Sequence, residues 1–104
     1  MVSIFDCLPI ETIENIPGIR CPLSKRIMND PVVLAATGVS YERDIITVHI
    51  DSYGSDPVTG TPLGDSGRRL IQNTMLRRLI DEIVSSIRRR MGDSYDWDHD
   101  DNNN

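Results

Sequence analysis

Asp56-Pro57-Val58-Thr59-Gly60-Thr61-Pro62-Leu63, read with Cys21-Pro22-Leu23-Ser24 upstream, decides how this chain is built. Each stretch keeps the spacing of a zinc-binding C-x-x-C pair, but the later one is D-x-x-T and the earlier one C-x-x-S. A structural zinc site takes four ligands, usually thiolate or imidazole. Here the positions persist while the donors are small hydrogen-bonding side chains. The pattern implies a zinc-type scaffold held by polar contacts.

Working outward, the composition supports that reading. The 104 residues include two cysteines, Cys7 and Cys21, and two histidines, His49 and His99. Two cysteines do not complete a zinc site; they could form one disulfide, but reduced thiols in a reducing, cytoplasmic compartment are the expectation. No apolar run reaches transmembrane length, and the first residues lack a basic-then-apolar signal pattern, so no membrane partner is expected. The net charge of −5 comes from 93–104, which holds Asp93, Asp96, Asp98, Asp100 and Asp101 and no Lys or Arg. Residues 1–92 carry 11 basic and 11 acidic side chains. Arg68-Arg69, Arg77-Arg78 and Arg88-Arg89-Arg90 are thus offset by acids and fit solvated helix faces, which argues against nucleic-acid binding. Lys25 is the only lysine.

The chain divides into an N-terminal arm (1–15), a domain ending in a helix (16–91) and an acidic tail (92–104) expected to be disordered. Pro17-Gly18 and Asn29-Asp30-Pro31 mark turns. Val32-Val33-Leu34 suits a buried strand, and Val39-Ser40-Tyr41 reads as the return strand of a hairpin across Thr37-Gly38. Ile45-Ile46-Thr47-Val48 has strand propensity, yet Tyr41, Ile45, Ile46, His49 and Ile50 recur at helical spacing and Gly54 follows as a stop, so Glu42 to Tyr53 reads as a helix. Leu70-Ile71 suits a short strand or lead-in. Asn73 is an N-cap for a long helix whose Leu76, Leu79, Ile80, Ile83 and Ile87 share one face, with Arg88–Arg90 in the last turn and Gly92 beyond it.

With that order of elements in place, the chain resembles a U-box domain over roughly residues 16–87. The resemblance rests on Ile16-Pro17, Cys21-Pro22-Leu23-Ser24, Met28, Asp30-Pro31-Val32-Val33, Thr37-Gly38, Tyr41-Glu42-Arg43, Asp56-Pro57-Val58-Thr59, Pro62-Leu63 and Asn73. It implies an α+β, RING-like fold without zinc: two long loops, a small β-hairpin sheet, a central helix and a long C-terminal helix. The eight ligand positions of a RING finger fall on Cys21, Ser24, Thr37, Val39, Glu42, Ile45, Asp56 and Thr59, of which only Cys21 is a good zinc ligand. No metal and no other cofactor is therefore expected. The resemblance implies hydrogen bonds and ion pairs among Ser24, Asp30, Tyr41, Glu42, Arg43, Asp56, Thr59 and Asn73 in its place. Cys21 itself reads as a small buried side chain rather than a nucleophile.

U-box proteins are E3 ubiquitin ligases, transferases without a nucleophile of their own. They hold a ubiquitin-loaded E2 conjugating enzyme while a substrate lysine attacks its thioester, so the absence of a catalytic dyad or triad is expected. The resemblance places E2 binding on Leu23 and Lys25 in the first loop, His49 on the central helix, and Pro57 and Gly60 in the second loop. Two positions depart from the family: Gly60 stands where active members commonly carry an arginine, and Lys25 where an apolar or aromatic residue is common. They leave a second reading open, a non-catalytic U-box-like module that docks a substrate or partner. If an arginine is needed, Arg68 or Arg69 are candidates to supply it. A small zinc-binding regulator is the third reading, and its ligand count is too low. A monomer or weak dimer is expected, the latter through the C-terminal helix beyond Ile83.

Overall fold

The computed structural model describes residues 4–92; the acidic tail's expected disorder concerns residues outside that range, apart from Gly92. The elements are a single 3-10 turn (Ile4–Cys7), α1 (Ile10–Ile13), β1 (Pro31–Leu34), β2 (Val39–Glu42), α2 (Arg43–Tyr53), a second 3-10 turn (Asp65–Arg68), β3 (Leu70–Gln72) and α3 (Thr74–Met91). Two irregular loops separate them, one from α1 to β1 and one from α2 to β3.

The hairpin forms where its alternation predicts. β1 pairs antiparallel with β2, with Val32 opposite Tyr41 and Leu34 opposite Val39. Leu70-Ile71 proves to be a true strand: β3 pairs antiparallel with β1 on its other side, in the order β2-β1-β3. The glycine of the hairpin turn, Gly38, has φ +80°, the left-handed region where a side chain is crowded. One face of the sheet carries Val32, Leu34 and Tyr41 into the core.

Pattern overrides propensity in α2. The helix buries Ile46 and Ile50 despite the β-branched run around them, because a helical stripe facing an apolar core outweighs the small intrinsic cost of branching. It ends at Gly54, φ +63°, whose amide closes on the Ile50 carbonyl at 2.8 Å. Asn73 caps α3 by accepting from the Leu76 amide at 3.1 Å. Its own amide donates to the Pro31 carbonyl and its side chain to the Ser40 hydroxyl, so one residue joins β1, β2 and α3.

The core joins Ile80, Ile83, Val84 and Ile87 of α3 with the sheet, α2, Ile13, Ile19 and Met28. Leu79, expected on the buried face of α3, is instead 38% exposed. The buried residues of the helix are Ile80, Ile83, Val84, Ser86 and Ile87; Leu79 shares the angular position of Ser86 but lies two turns earlier, away from the arm that covers Ser86. The 3-10 turn at the N-terminus packs on α3, with Phe5, Leu8 and Ile10 covering the cluster from the arm side.

Candidate protein-docking site

The first loop is a stiff turn. Cys21 donates to the Arg26 carbonyl at 2.9 Å, Lys25 donates to the Cys21 carbonyl at 2.8 Å, and Met28 donates to the Ile19 carbonyl at 2.9 Å. Cys21 is fully buried and forms the root of the turn. Leu23 is 37% exposed at its tip, so this leucine is not part of the core. Both cysteines are free thiols, with Cys7 exposed.

The second loop closes on itself around one carboxylate. Asp56 Oδ2 accepts from the Thr59 amide at 2.8 Å and from the Thr59 hydroxyl at 2.7 Å. The Gly60 amide donates to the Asp56 carbonyl at 2.8 Å and the Asp56 amide to the Thr61 carbonyl at 2.9 Å. The Thr59 hydroxyl bond, aided by backbone donors and the nearby His49 imidazole, holds the Asp56 carboxyl below its ordinary range, against the opposing effect of burial. Pro57 is half-buried, and Val58 and Gly60 are exposed. Gly60 adopts φ +76°, which explains its identity: the turn that returns the chain to Thr61 passes through the region glycine tolerates best.

Between the loops, α2 presents Ile45, His49 and Tyr53 along one flank. His49 and Tyr53 have ring centroids 4.8 Å apart, with His49 half-buried and Tyr53 72% exposed. Tyr53 and Val58, the latter 67% exposed, add apolar surface on α2 and the second loop beyond the residues expected there. The signal was there in the i, i+4 spacing of Tyr53 from His49.

The polar residues expected to stand in for zinc form several local clusters rather than one network. Glu42 accepts from the backbone amides of Asn29 at 2.7 Å and Asp30 at 2.9 Å. Arg43 donates to Asp30 Oδ2 at 2.7 Å, and its amide bonds the Asp30 carbonyl at 3.0 Å. These bonds tie the end of the first loop to the start of α2. Asp56 and Thr59 form the second cluster, Asn73 with Ser40 the third. Among the described residues Ser24 accepts only locally, from the Arg26 amide at 3.3 Å. Tyr41 is the exception: its hydroxyl is buried without a hydrogen-bond partner, as are Asp56 Oδ1 and His49 Nε2. Burial, then the charges of Asp56 and Cys21, raise the Tyr41 hydroxyl above its ordinary pKa.

Of the eight positions that the resemblance aligns with zinc ligands, four partner one another in two pairs. Thr37 accepts from the Val39 amide, and Asp56 from Thr59. Ser24, Glu42 and Ile45 line a cleft of about 200 Å³ between the first loop and α2. Among the described residues, no three His, Cys, Asp or Glu side chains converge in a way that could hold a metal ion.

The comparisons agree with the geometry. The U-box domain family model matches residues 17–89. The chain belongs to the U-box family. It is 42% identical over 72 residues to the E3 ubiquitin-protein ligase PUB23 of Arabidopsis thaliana, covering 67% of this chain and 17% of that protein. It is 46% identical over 65 residues to U-box domain-containing protein 25 of the same plant, covering 61% of this chain and 15% of the relative. Ubiquitin conjugation factor E4 of Schizosaccharomyces pombe is 38% identical over 69 residues, 66% of this chain and 7% of its own length. The U-box therefore matches less than a fifth of each of these longer proteins.

Arg68 does not lie with the second loop's tip. Its guanidinium packs against Gly54, where an added Cβ would meet Nη2 at 2.8 Å. It lines a cleft with Thr47, Ile50 and Asp51, the flank of α2 that does not carry Ile45 and His49.

Proposed function

We propose that this U-box domain docks a ubiquitin-loaded E2 and promotes transfer of ubiquitin to a substrate lysine. The observation that carries the reading is the exposed Leu23 at the tip of a hydrogen-bonded first loop, within a U-box whose relatives include E3 ligases. Pro57 and Val58 on the second loop and His49 with Tyr53 on α2 extend the apolar surface. Small apolar anchors inside a polar rim suit a protein interface. The chemistry is aminolysis: the substrate amine attacks the thioester carbonyl, an isopeptide bond forms, and the E2 cysteine leaves as a thiol. The domain's part is to restrict the loaded E2 to reactive orientations, which raises the effective concentration of the reacting groups.

A second reading is favoured by Gly60. The turn is built for glycine, at the position where active U-boxes commonly carry an arginine, and Arg68 is engaged against Gly54 rather than at the loop's tip. On this reading the domain binds a partner without activating an E2. In either case a monomer or weak dimer in a reducing compartment suits the free thiols.

Discharge of ubiquitin from a panel of loaded E2 enzymes, with and without the domain, tests the first reading. Acceleration that Leu23→Ala abolishes, with the fold intact by circular dichroism, supports a ligase that uses this face. No acceleration with any E2, but retained binding, supports the second reading.

A further inference from the structure

We infer that Lys25 selects the docked partner: its ammonium reads a carboxylate on the E2 surface, next to the apolar contact of Leu23. The inference rests on the docking reading above and adds the charge chemistry of the partner.

Among the described residues Lys25 is the one non-glycine with positive φ, at +66°. In that left-handed region Cβ crowds the following carbonyl, and glycine, asparagine and aspartate suit it better. The turn has no use for a lysine side chain. Its hydrogen bonds are made by backbone, the Lys25 amide to the Cys21 carbonyl and the Lys25 carbonyl from Arg20 Nη1 at 3.0 Å. Nor does the fold use the ammonium: the side chain is exposed, and among the described residues no hydrogen bond or ion pair engages it. A residue that its backbone disfavours and its own chain ignores, placed on a docking loop, points to a contact outside the chain.

The charge pattern names the kind of contact. Residues 17–29 hold Arg20, Lys25 and Arg26 and no acid. Arg20 is turned back onto the Glu14 and Lys25 carbonyls. Lys25 is thus a cation that the loop presents outward, from a turn pinned between Cys21 and Arg26. A charge on a preorganised support loses little entropy on binding. Its complement on a protein surface is an aspartate or glutamate. A rim charge of this kind chooses partners and sets the association rate more than it adds affinity.

The test is calorimetric binding of a panel of unloaded E2 enzymes to the full chain and to Lys25→Arg, Lys25→Gly, Lys25→Glu and Leu23→Ala. For the tightest native binder, Lys25→Arg keeps the native Kd, Lys25→Gly weakens it about threefold and Lys25→Glu about tenfold, and both losses shrink when salt is raised from about 50 to about 300 mM. Thermal melts show Lys25→Gly unfolding at or above the native temperature, which separates lost binding from lost fold. An unchanged Kd for Lys25→Glu overturns the inference, and if Leu23→Ala still abolishes binding the docking reading survives it. Binding by no E2 in the panel overturns both.

Discussion

The hydroxyl of Ser86, fully buried in α3, donates a 2.6 Å hydrogen bond to Asp6, 80 positions earlier in the chain. The same carboxylate accepts from Arg89 at 3.0 and 3.1 Å, and Arg90 donates to the carbonyls of Phe5 and Leu8. The arm thus satisfies a polar group that the C-terminal helix buries and lies over the last turns of its apolar face. Self-association through the helix beyond Ile83 would have to displace it. The arm is therefore part of what holds α3 to the sheet.

Asp6→Ala is expected to destabilise the domain by about 1–3 kcal/mol, because it leaves a buried hydroxyl without an acceptor. Ser86→Ala alone should cost less, and adding it to Asp6→Ala should recover part of the loss, since the two residues share one interaction. Urea unfolding of the four proteins measures this cycle. Native-like midpoints for Asp6→Ala would mean that the arm contributes nothing to the folded unit.

Asp56 makes a pH prediction. Its carboxyl is held below the ordinary value of 3.8, chiefly by the Thr59 hydroxyl. A depressed acid pKa means that the folded state favours the ionised form. The stabilisation is complete above the unfolded pKa and is lost as pH falls through the depressed folded value. Asp56→Asn should be less stable than native near neutral pH, by about 1–3 kcal/mol. The gap should close on acidification from about pH 7 to about pH 3. Parallel stability curves for the two proteins over that range would remove Asp56 as the source.

Tyr41 makes the opposite case. Its hydroxyl is buried, unpartnered and raised above the ordinary value of 10.0. The folded state resists ionisation, so stability is intact below that value and is lost as pH rises above it toward the raised folded pKa. Tyr41→Phe should be within about 0.5 kcal/mol of native at neutral pH, since no hydrogen bond is given up. It should also remove this residue's share of the alkaline loss. A neutral-pH cost above roughly 1 kcal/mol would show that an ordered water joins this hydroxyl to its orphaned neighbours on Asp56 and His49.

The elements were legible because each carries its own local signal: alternation for β1 and β2, helical spacing for α2, and an asparagine cap for α3. Ile46 and Ile50 are buried as that spacing requires. Leu79 escaped because helical spacing fixes a face but not how far along the helix that face is covered: Ser86, seven residues on, lies under the arm and Leu79 does not. Ser86 escaped because its partner is remote, and no short-range pattern ties a serine to an aspartate in the arm. The polar substitutes for zinc were legible as residues but not as a graph. Aspartate and threonine three apart close on each other as a turn, whereas Glu42 finds backbone amides and Tyr41 finds nothing. The left-handed Lys25 had no glycine or asparagine to announce it.

Gly60→Arg is the substitution the family comparison invites, and its outcome should be mixed. Open space surrounds the position, so an arginine side chain has room. The backbone is the obstacle: at φ +76° a non-glycine residue costs roughly 1–2 kcal/mol, and the turn is anchored on both sides by the Asp56 bonds. The variant should therefore melt at lower temperature than native. If the domain docks an E2 and lacks only the cation, the same variant should accelerate ubiquitin discharge despite its lower stability. Gly60→Ala separates the two effects, since it carries the backbone cost without the charge. Faster discharge with arginine but not with alanine would identify the missing cation as what limits this domain. Equal discharge by native, arginine and alanine forms would mean that the second loop's tip does not touch the reaction, and the docking face would have to be sought in the first loop and α2 alone.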